Sequence, residues 1–163
     1  ARIADAADPA PRFDLCAATL LQNRESDDGG SQFARHWVMR VAYAFSTALI
    51  SVFPHVGQGD AYAALIGTML RRLGDRDPEA MARIAQALGI TGAPPSGVPE
   101  RIAEKMETVF RSLGMTTRLS GLSIERERLP QVLELSLKNF NADPKREFVK
   151  ERGTLEEVLQ AAW

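Results

Sequence analysis

The sequence is poor in cysteine, with only Cys16 among 163 residues. One cysteine cannot form an internal disulfide framework, and an unpaired thiol is typical of a reducing compartment, so we predict a cytoplasmic protein. Cys16 lies in the apolar segment "FDLCAATLL". Free cysteine in such surroundings is usually a small buried residue, so the pattern predicts a core position for Cys16 rather than a nucleophile.

The chain also lacks an excess of charge of either sign. Lys and Arg total 20 and Asp and Glu total 21, which gives a net charge of -1. Without a basic surplus, we predict no nucleic-acid partner and no attraction to an anionic membrane surface. The longest apolar run, "VAYAFSTALISVF" at 41–53, contains Ser and Thr and is too short to span a bilayer, so it predicts a buried helix.

Three further patterns are missing: sustained apolar/polar alternation, an internal repeat of 20–50 residues, and a glycine loop of the phosphate-binding type. Helical spacing of apolar residues is present instead, punctuated by proline and glycine. We therefore predict that residues 1–163 form a single all-α domain, a bundle of about seven helices. A cofactor site in such a domain would need another domain or a metal ion.

Several helices can be placed from the sequence. The first is expected at 11–24 and the second, central and enclosed, at 32–53. A third begins near Asp60, and a fourth has Asp77 as N-cap and ends before Gly89. The last helix, "TLEEVLQAAW", starts with the Thr154 and Glu157 spacing of a capping box.

Two sets of side chains are assigned by default to structure. The aromatic residues of the second helix are expected in the core: Phe33, Trp37, Tyr43 and Phe45. The run "DPKREFVKERG" at 143–153 is strongly charged, which predicts a solvated loop, with a contact to a subunit or domain as the alternative.

The two histidines do not have metal-binding spacing. His36 and His55 are 19 residues apart, which would separate them by roughly 28 Å along a continuous helix. His36 is expected on or near the surface. His55 lies at a joint between helices, beside Gly57 and Gly59, and two interpretations stay open. It is either a metal ligand, or a solvent-facing residue in a turn that the glycines form and Asp60 caps.

Three segments resemble the C-terminal helical domain of the iron-dependent alcohol dehydrogenase family, which includes the maleylacetate reductases. They are "DPAPRFDLCAATLLQNR", "YAFSTALISVFPHVGQGDAYAAL", and "LGMTTRLSGLSIERERLPQVLELSL" with the final "TLEEVLQAAW". The third is the most specific, since several of its residues keep the family's register: Gly114, Thr117, Arg118, Leu119, Leu122, Leu129 and Pro130.

The resemblance implies a dehydroquinate synthase-like helical bundle that forms the C-terminal part of a two-domain oxidoreductase. An N-terminal Rossmann-like domain would bind NAD(P), and the helical domain would hold a divalent metal, iron or zinc, that polarises the oxygen of an alcohol or aldehyde. The family's Asp-x-x-x-His segment, which supplies two metal ligands, does not occur in these residues. The resemblance therefore implies a longer polypeptide, active only with its first domain, and a homodimer.

The resemblance also implies positions for the site. Matching "YAFSTALIS" to the family's histidine helix puts Tyr43 and Thr47 at its two histidines, and matching "GQGDAYAAL" puts Gln58 at a third. Matching "PH" directly makes His55 the metal ligand instead. We therefore predict His55 as a metal ligand and the other three as residues of the substrate cleft. The alternative is an interaction or scaffold domain of the same ancestry, with a degenerate metal site and no catalysis.

Overall fold

The computed structural model describes residues 8–29, 36–92 and 94–163, and its regular elements are all helical. The predicted all-α bundle of seven helices is confirmed for this part of the chain, joined in places by short 3-10 turns. The helices are α1 (Ala10–Gly29), α2 (Trp37–Val52), α3 (Gln58–Leu73), α4 (Pro78–Ala87), α5 (Val98–Ser112), α6 (Leu129–Leu137) and α7 (Arg152–Ala162).

The central helix is α2, as its apolar composition predicts. Nine of its residues are buried, and it packs against α3 and α6. Phe45 and Leu49 are completely enclosed, whereas Trp37 and Tyr43 are half-buried and pack against the edge of the core. The aromatic prediction is therefore confirmed for Phe45 and in part for Trp37 and Tyr43. Phe33 lies outside the described residues.

Helix α3 connects the centre of the bundle to α5. Gly67 of α3 brings the backbone so close to α5 that a Cβ atom there would lie 2.0 Å from Oε1 of Glu107. Beside it, Arg71 of α3 forms ion pairs with Glu107 and Glu100 of α5. A glycine at this position thus leaves room for a carboxylate between the two helices.

Two glycines end helices, one of them, Gly89, as the sequence predicts. Gly89 follows α4 with a φ of 66°, and its N–H donates to the Gln86 carbonyl while Ile90 N–H donates to the Ala85 carbonyl. This pair of bonds is a Schellman motif, which requires a left-handed residue that glycine adopts without strain. Gly114, with a φ of 77°, ends α5 in the same way.

Asp77 is the N-cap residue of α4, as predicted, whereas the N-cap residue of α7 differs from the prediction. Asp77 precedes Pro78 at the start of α4, but its carboxylate accepts a 3.5 Å hydrogen bond from Val38 N–H in α2 and makes no cap bond to α4. The predicted capping box at Thr154 is wrong. A 3-10 turn continues directly into α7 at Arg152, so Glu151 is the N-cap residue and Thr154 lies within the first turn.

The prediction of burial is wrong for helix α1. Cys16 is exposed rather than buried, and so are its apolar neighbours on the same face, Phe13, Leu20 and Leu21. The reason is that α1 makes no extensive contact with any other described element. Within the described residues, no helix is long and apolar enough to cross a membrane.

Candidate functional site

One half-buried face of α2 carries two of the predicted cleft residues. Trp37, Arg40, Tyr43 and Thr47 follow one another at intervals of three or four residues, so they lie along one side of the helix. Residues 139–151, which we call the strap, bind to this side between α6 and α7. The strap and α2 together form the wall of the candidate site.

The hydroxyl of Thr47 both donates and accepts a hydrogen bond. The hydroxyl donates to the Tyr43 carbonyl at 2.8 Å, and Nδ2 of Asn139 donates to it at 2.9 Å. Oδ1 of Asn139 accepts in turn from Ala142 N–H at 3.0 Å. The start of the strap therefore fixes the rotamer of Thr47, and the hydroxyl is already committed to protein groups.

Arg40 forms a nearly enclosed ion-pair cluster with the strap. Its side chain is 11% exposed and pairs with Asp143, whose side chain is fully buried, at 2.7 Å. It also pairs with Glu147 at 2.7 Å and donates from Nε to the Ala142 carbonyl at 2.8 Å. The other carboxylate oxygen of Asp143 accepts from Phe148 N–H at 2.7 Å. Burial of both charges is therefore matched by hydrogen bonds.

Trp37 contacts two arginines at the N-terminal end of this face. The guanidinium carbons of Arg40 and Arg76 lie 5.1 Å and 4.9 Å from its ring centroid, and the Phe148 ring meets it edge-on at 5.2 Å. Arg76 also pairs with Glu151, and that hydrogen bond holds the pKa of the Glu151 carboxyl below its usual range. The indole N–H of Trp37 is buried and has no hydrogen-bond partner among the residues that the structure describes.

These contacts correct the prediction of a solvated loop at 143–153. The prediction holds for the seven exposed residues of this segment, 144–146, 149–150 and 152–153. Asp143 and Phe148 are buried, and Glu147 and Glu151 are half-buried. The physical reason is the buried charge of Arg40, which needs a carboxylate from a distant part of the chain. One signal in the sequence was available: an arginine inside the otherwise apolar α2 requires a partner. The sequence does not say which of many acids that partner is.

The other two predicted residues lie at the junction of α2 and α3. His55 is exposed, and its Nε2 lies 3.3 Å from the Leu122 carbonyl oxygen. Gln58 is the exposed first residue of α3, whose N-cap is Gly57. Contrary to the prediction, Asp60 is not the N-cap residue. It lies in the first turn of α3, and its carboxylate lies beside Gly57.

The predicted residues thus fall into two groups, Tyr43 with Thr47 on α2 and His55 with Gln58 at the junction. The helical rise places Tyr43 roughly 14 Å from the end of α2. His36 is the N-cap of α2, at the end opposite to His55, and α2 is roughly 24 Å long. The two histidines therefore cannot share a metal ion.

The described residues do not by themselves fit a metal centre. No group of three His, Cys, Asp or Glu side chains that could hold an ion occurs in 8–21, 36–92 or 94–163. Asp143 is committed to Arg40 and Thr47 to Asn139, and Tyr and Gln are poor ligands for iron or zinc. His55 can offer one imidazole, and every further ligand would come from outside the described residues.

A groove of about 320 Å³ lies elsewhere, between the N-terminal ends of α4 and α5. Its walls are mainly apolar, including Pro78, Met81 and Pro99, with Asp75 and Ser96 at polar positions. None of the four predicted site residues lines it. The groove is therefore separate from the α2 face and the α2–α3 junction.

The comparisons with known proteins agree with this architecture. Residues 6–163 match the model of one family, described as the Fe-containing alcohol dehydrogenase family, C-terminal. No curated protein matches the chain significantly, and no solved structure does. Because the match spans nearly the whole helical body, including α1 and the strap, the chain belongs to the iron-containing alcohol dehydrogenase family and corresponds to its C-terminal domain.

Proposed function

We propose that this chain is the substrate-binding C-terminal domain of an NAD(P)-dependent oxidoreductase that acts on an alcohol or a carbonyl compound. The observation that carries the proposal is the family match over residues 6–163. Within this region, α2 has the half-buried face that contains Tyr43 and Thr47. An N-terminal domain of the same polypeptide would bind NAD(P) and complete the cleft.

In this proposal the α2 face supplies shape and hydrogen-bonding groups to the substrate. Tyr43 lies half-buried on that face, and Thr47 is fixed one turn further by Asn139. A side chain whose rotamer is fixed before binding loses little entropy when it contacts a ligand, so the strap preorganises this wall. Hydride would pass between the nicotinamide and a substrate carbon held against it.

A metal ion that polarises the substrate oxygen is part of this proposal, and His55 would be its ligand from the described residues. His55 is exposed at the α2–α3 junction, where it can meet ligands from a preceding segment. His36, the other described histidine, lies at the opposite end of α2, so His55 would be the single ligand that the described residues supply.

The experiment uses the full-length protein, with a panel of alcohols and aldehydes, both nicotinamide cofactors, and metal analysis. We expect cofactor-dependent turnover and roughly one equivalent of iron or zinc. His55→Ala should lower metal content and turnover together, since packing cannot replace a lost ligand. His36→Ala is the matched control, because His36 lies at the other end of α2 and should change neither.

A second candidate function is that of a helical interaction domain with a degenerate metal site. It is favoured because Asp143 is paired with Arg40 and Thr47 is hydrogen-bonded to Asn139, so neither side chain is available to a metal ion. It predicts a folded full-length protein that contains no metal and turns over no member of the panel. Turnover with unchanged metal content in His55→Ala would keep the oxidoreductase and remove His55 as a ligand.

A further inference from the structure

The half-buried hydroxyl of Thr47 has one hydrogen to donate and two lone pairs that can accept. The hydrogen is directed at the helix backbone, because the oxygen lies 2.8 Å from the Tyr43 carbonyl oxygen and 3.0 Å from that of Ala44. One lone pair accepts from Nδ2 of Asn139 at 2.9 Å. Within the part of the chain that the structure describes, these contacts leave the second lone pair open.

The amide of Asn139 has only one orientation that satisfies both of its neighbours. Its Oδ1 lies 3.0 Å from the backbone nitrogen of Ala142, whose N–H can only donate. Oδ1 is therefore the acceptor at Ala142, and Nδ2 is the donor that faces Thr47. Because Asn139 donates to Thr47, the hydrogen of the Thr47 hydroxyl stays on the side of the helix carbonyls.

A ligand that reaches Thr47 is accordingly accepted as a hydrogen-bond donor. To donate to the ligand instead, the hydroxyl would have to turn its hydrogen away from the helix, and its lone pair would then face the Tyr43 carbonyl oxygen at 2.8 Å. This arrangement loses a hydrogen bond and brings two acceptors together. A carboxylate or a carbonyl oxygen is thus disfavoured at Thr47, whereas the O–H of an alcohol fits. The neutral hydroxyl is also a poorer ligand for iron or zinc than an imidazole.

Thr47 lies apart from the junction of α2 and α3. Helix α2 ends at Val52, five residues later, so Thr47 is roughly 8 Å from the end of the helix. In the proposed function the reacting oxygen is polarised near His55, at that junction. The group that meets Thr47 is therefore a second substituent of the substrate and not the reacting oxygen.

We propose that the substrate is an alcohol or aldehyde with a second hydroxyl group, and that Thr47 selects it by accepting a hydrogen bond from this hydroxyl. The inference rests on the proposed oxidoreductase function and narrows its substrate class. It also predicts discrimination against compounds that place an ether oxygen or a carboxylate at the same position.

The test uses the full-length protein and linear α,ω-diols of two to six carbons. Each diol is compared with its monomethyl ether, whose second oxygen cannot donate, and with the hydroxy acid of the same length. The measured quantities are kcat/KM with NAD and NADP, and dissociation constants from ligand-observed NMR. We expect the diol of the fitting length to be preferred to its ether by about tenfold in both quantities.

Substitutions at Thr47 separate the hydrogen bond from the fit of the additional methyl group of the ether. Thr47→Val keeps the shape and removes the acceptor, so the preference for the diol should fall by about fivefold. Thr47→Ser keeps the hydroxyl and should keep most of the preference.

Thr108→Val is the matched control for these variants. The Thr108 hydroxyl also donates to a carbonyl one turn earlier, that of Glu104 at 2.8 Å, but Thr108 is exposed on α5. This substitution should leave the preference for the diol unchanged.

Three results would overturn the inference. They are the same preference for the diol in Thr47→Val as in the wild type, tighter binding of the hydroxy acid than of the diol at every length, and no binding of any diol. Binding of the diols with the expected preference but without turnover would refute the proposed oxidoreductase and keep the role of Thr47. Turnover of simple alcohols with no preference for diols would keep the oxidoreductase and refute this inference.

Discussion

At the scale of single residues, the buried ion pair between α2 and the strap is sensitive to substitution. Asp143 is fully buried, and its two oxygens accept bonds from Arg40 and from two backbone N–H groups. Removing one partner of such a pair leaves the other charge enclosed and unpaired, which costs more than the pair contributes when intact.

We expect Asp143→Ala to lower the free energy of unfolding by about 3–5 kcal/mol, because two backbone N–H groups lose their acceptor and Arg40 keeps Glu147 as its single carboxylate partner. Glu147→Gln is the control: the Glu147 side chain is 42% exposed, and exposed ion pairs contribute about 1 kcal/mol or less. Urea unfolding of both variants gives the comparison. An equal loss of unfolding free energy in the two variants would show that Asp143 contributes no more than Glu147 to the attachment of the strap.

The hydroxyl of Thr47 can be tested in the same way. Thr47→Val keeps the shape but leaves Nδ2 of Asn139 without its acceptor, so we expect a loss of about 1–2 kcal/mol. Thr47→Ser keeps the hydroxyl and should lose less. If Thr47→Ser costs more free energy than Thr47→Val in thermal and urea unfolding, the methyl group and not the hydrogen bond holds this position.

At the scale of elements, α3 and α5 are joined by charges in a half-enclosed position. Arg71 donates to Glu107, and this hydrogen bond is the main reason why the pKa of the Glu107 carboxyl is lowered from its ordinary value of 4.5. The same bond is the main reason why the pKa of Arg71 is raised. A lowered carboxyl pKa stabilises the folded state at every pH where the unfolded carboxyl is ionised.

The stabilisation from Glu107 should therefore be complete above pH 4.5 and disappear as the pH falls through the lower pKa of the folded state. The measurement is the difference in unfolding free energy between the wild type and Glu107→Gln from pH 7 down to pH 3. This difference should shrink towards acid. A difference that stays constant over the range would exclude Glu107 as the titrating group.

Most helices could be predicted from the sequence, because apolar spacing and the glycines that end α4 and α5 are local signals. The N-cap of α7 could not, since the turn before it is fixed by the burial of Phe148 against α2. The exposure of Cys16 was also missed. An apolar stripe predicts a buried face, but it does not say whether the covering surface lies within the same stretch of chain.

The candidate site could be predicted only in part. The resemblance identified positions on α2 and at the α2–α3 junction, and the structure adds Arg40, Asn139 and Asp143 as the residues that shape the α2 face. Arg40 and Asp143 are separated by 103 positions along the chain. Hydrophobic periodicity contains no information about such a pairing, which depends on how the helices pack.

At the scale of the whole molecule, the bundle is uneven: α2 to α7 share one core, whereas α1 makes no extensive contact with them. We therefore expect limited trypsin digestion of residues 1–163 alone to cut first within α1, at Arg12 or Arg24. The control lies in α5, where Arg101 and Lys105 offer exposed sites on a packed helix. Earlier cleavage in α5, followed by mass spectrometry, would contradict this order of stability.

The attachment of the strap has a consequence for synthesis of the protein. Arg40 emerges from the ribosome long before Asp143, which is 103 positions later. At 5–20 residues per second, the arginine waits roughly 5–20 s for its carboxylate. During that interval α2 carries a guanidinium that must stay hydrated, so the nascent helix cannot settle into its final environment. Completion of the native core is thus a late event that waits for synthesis of the strap.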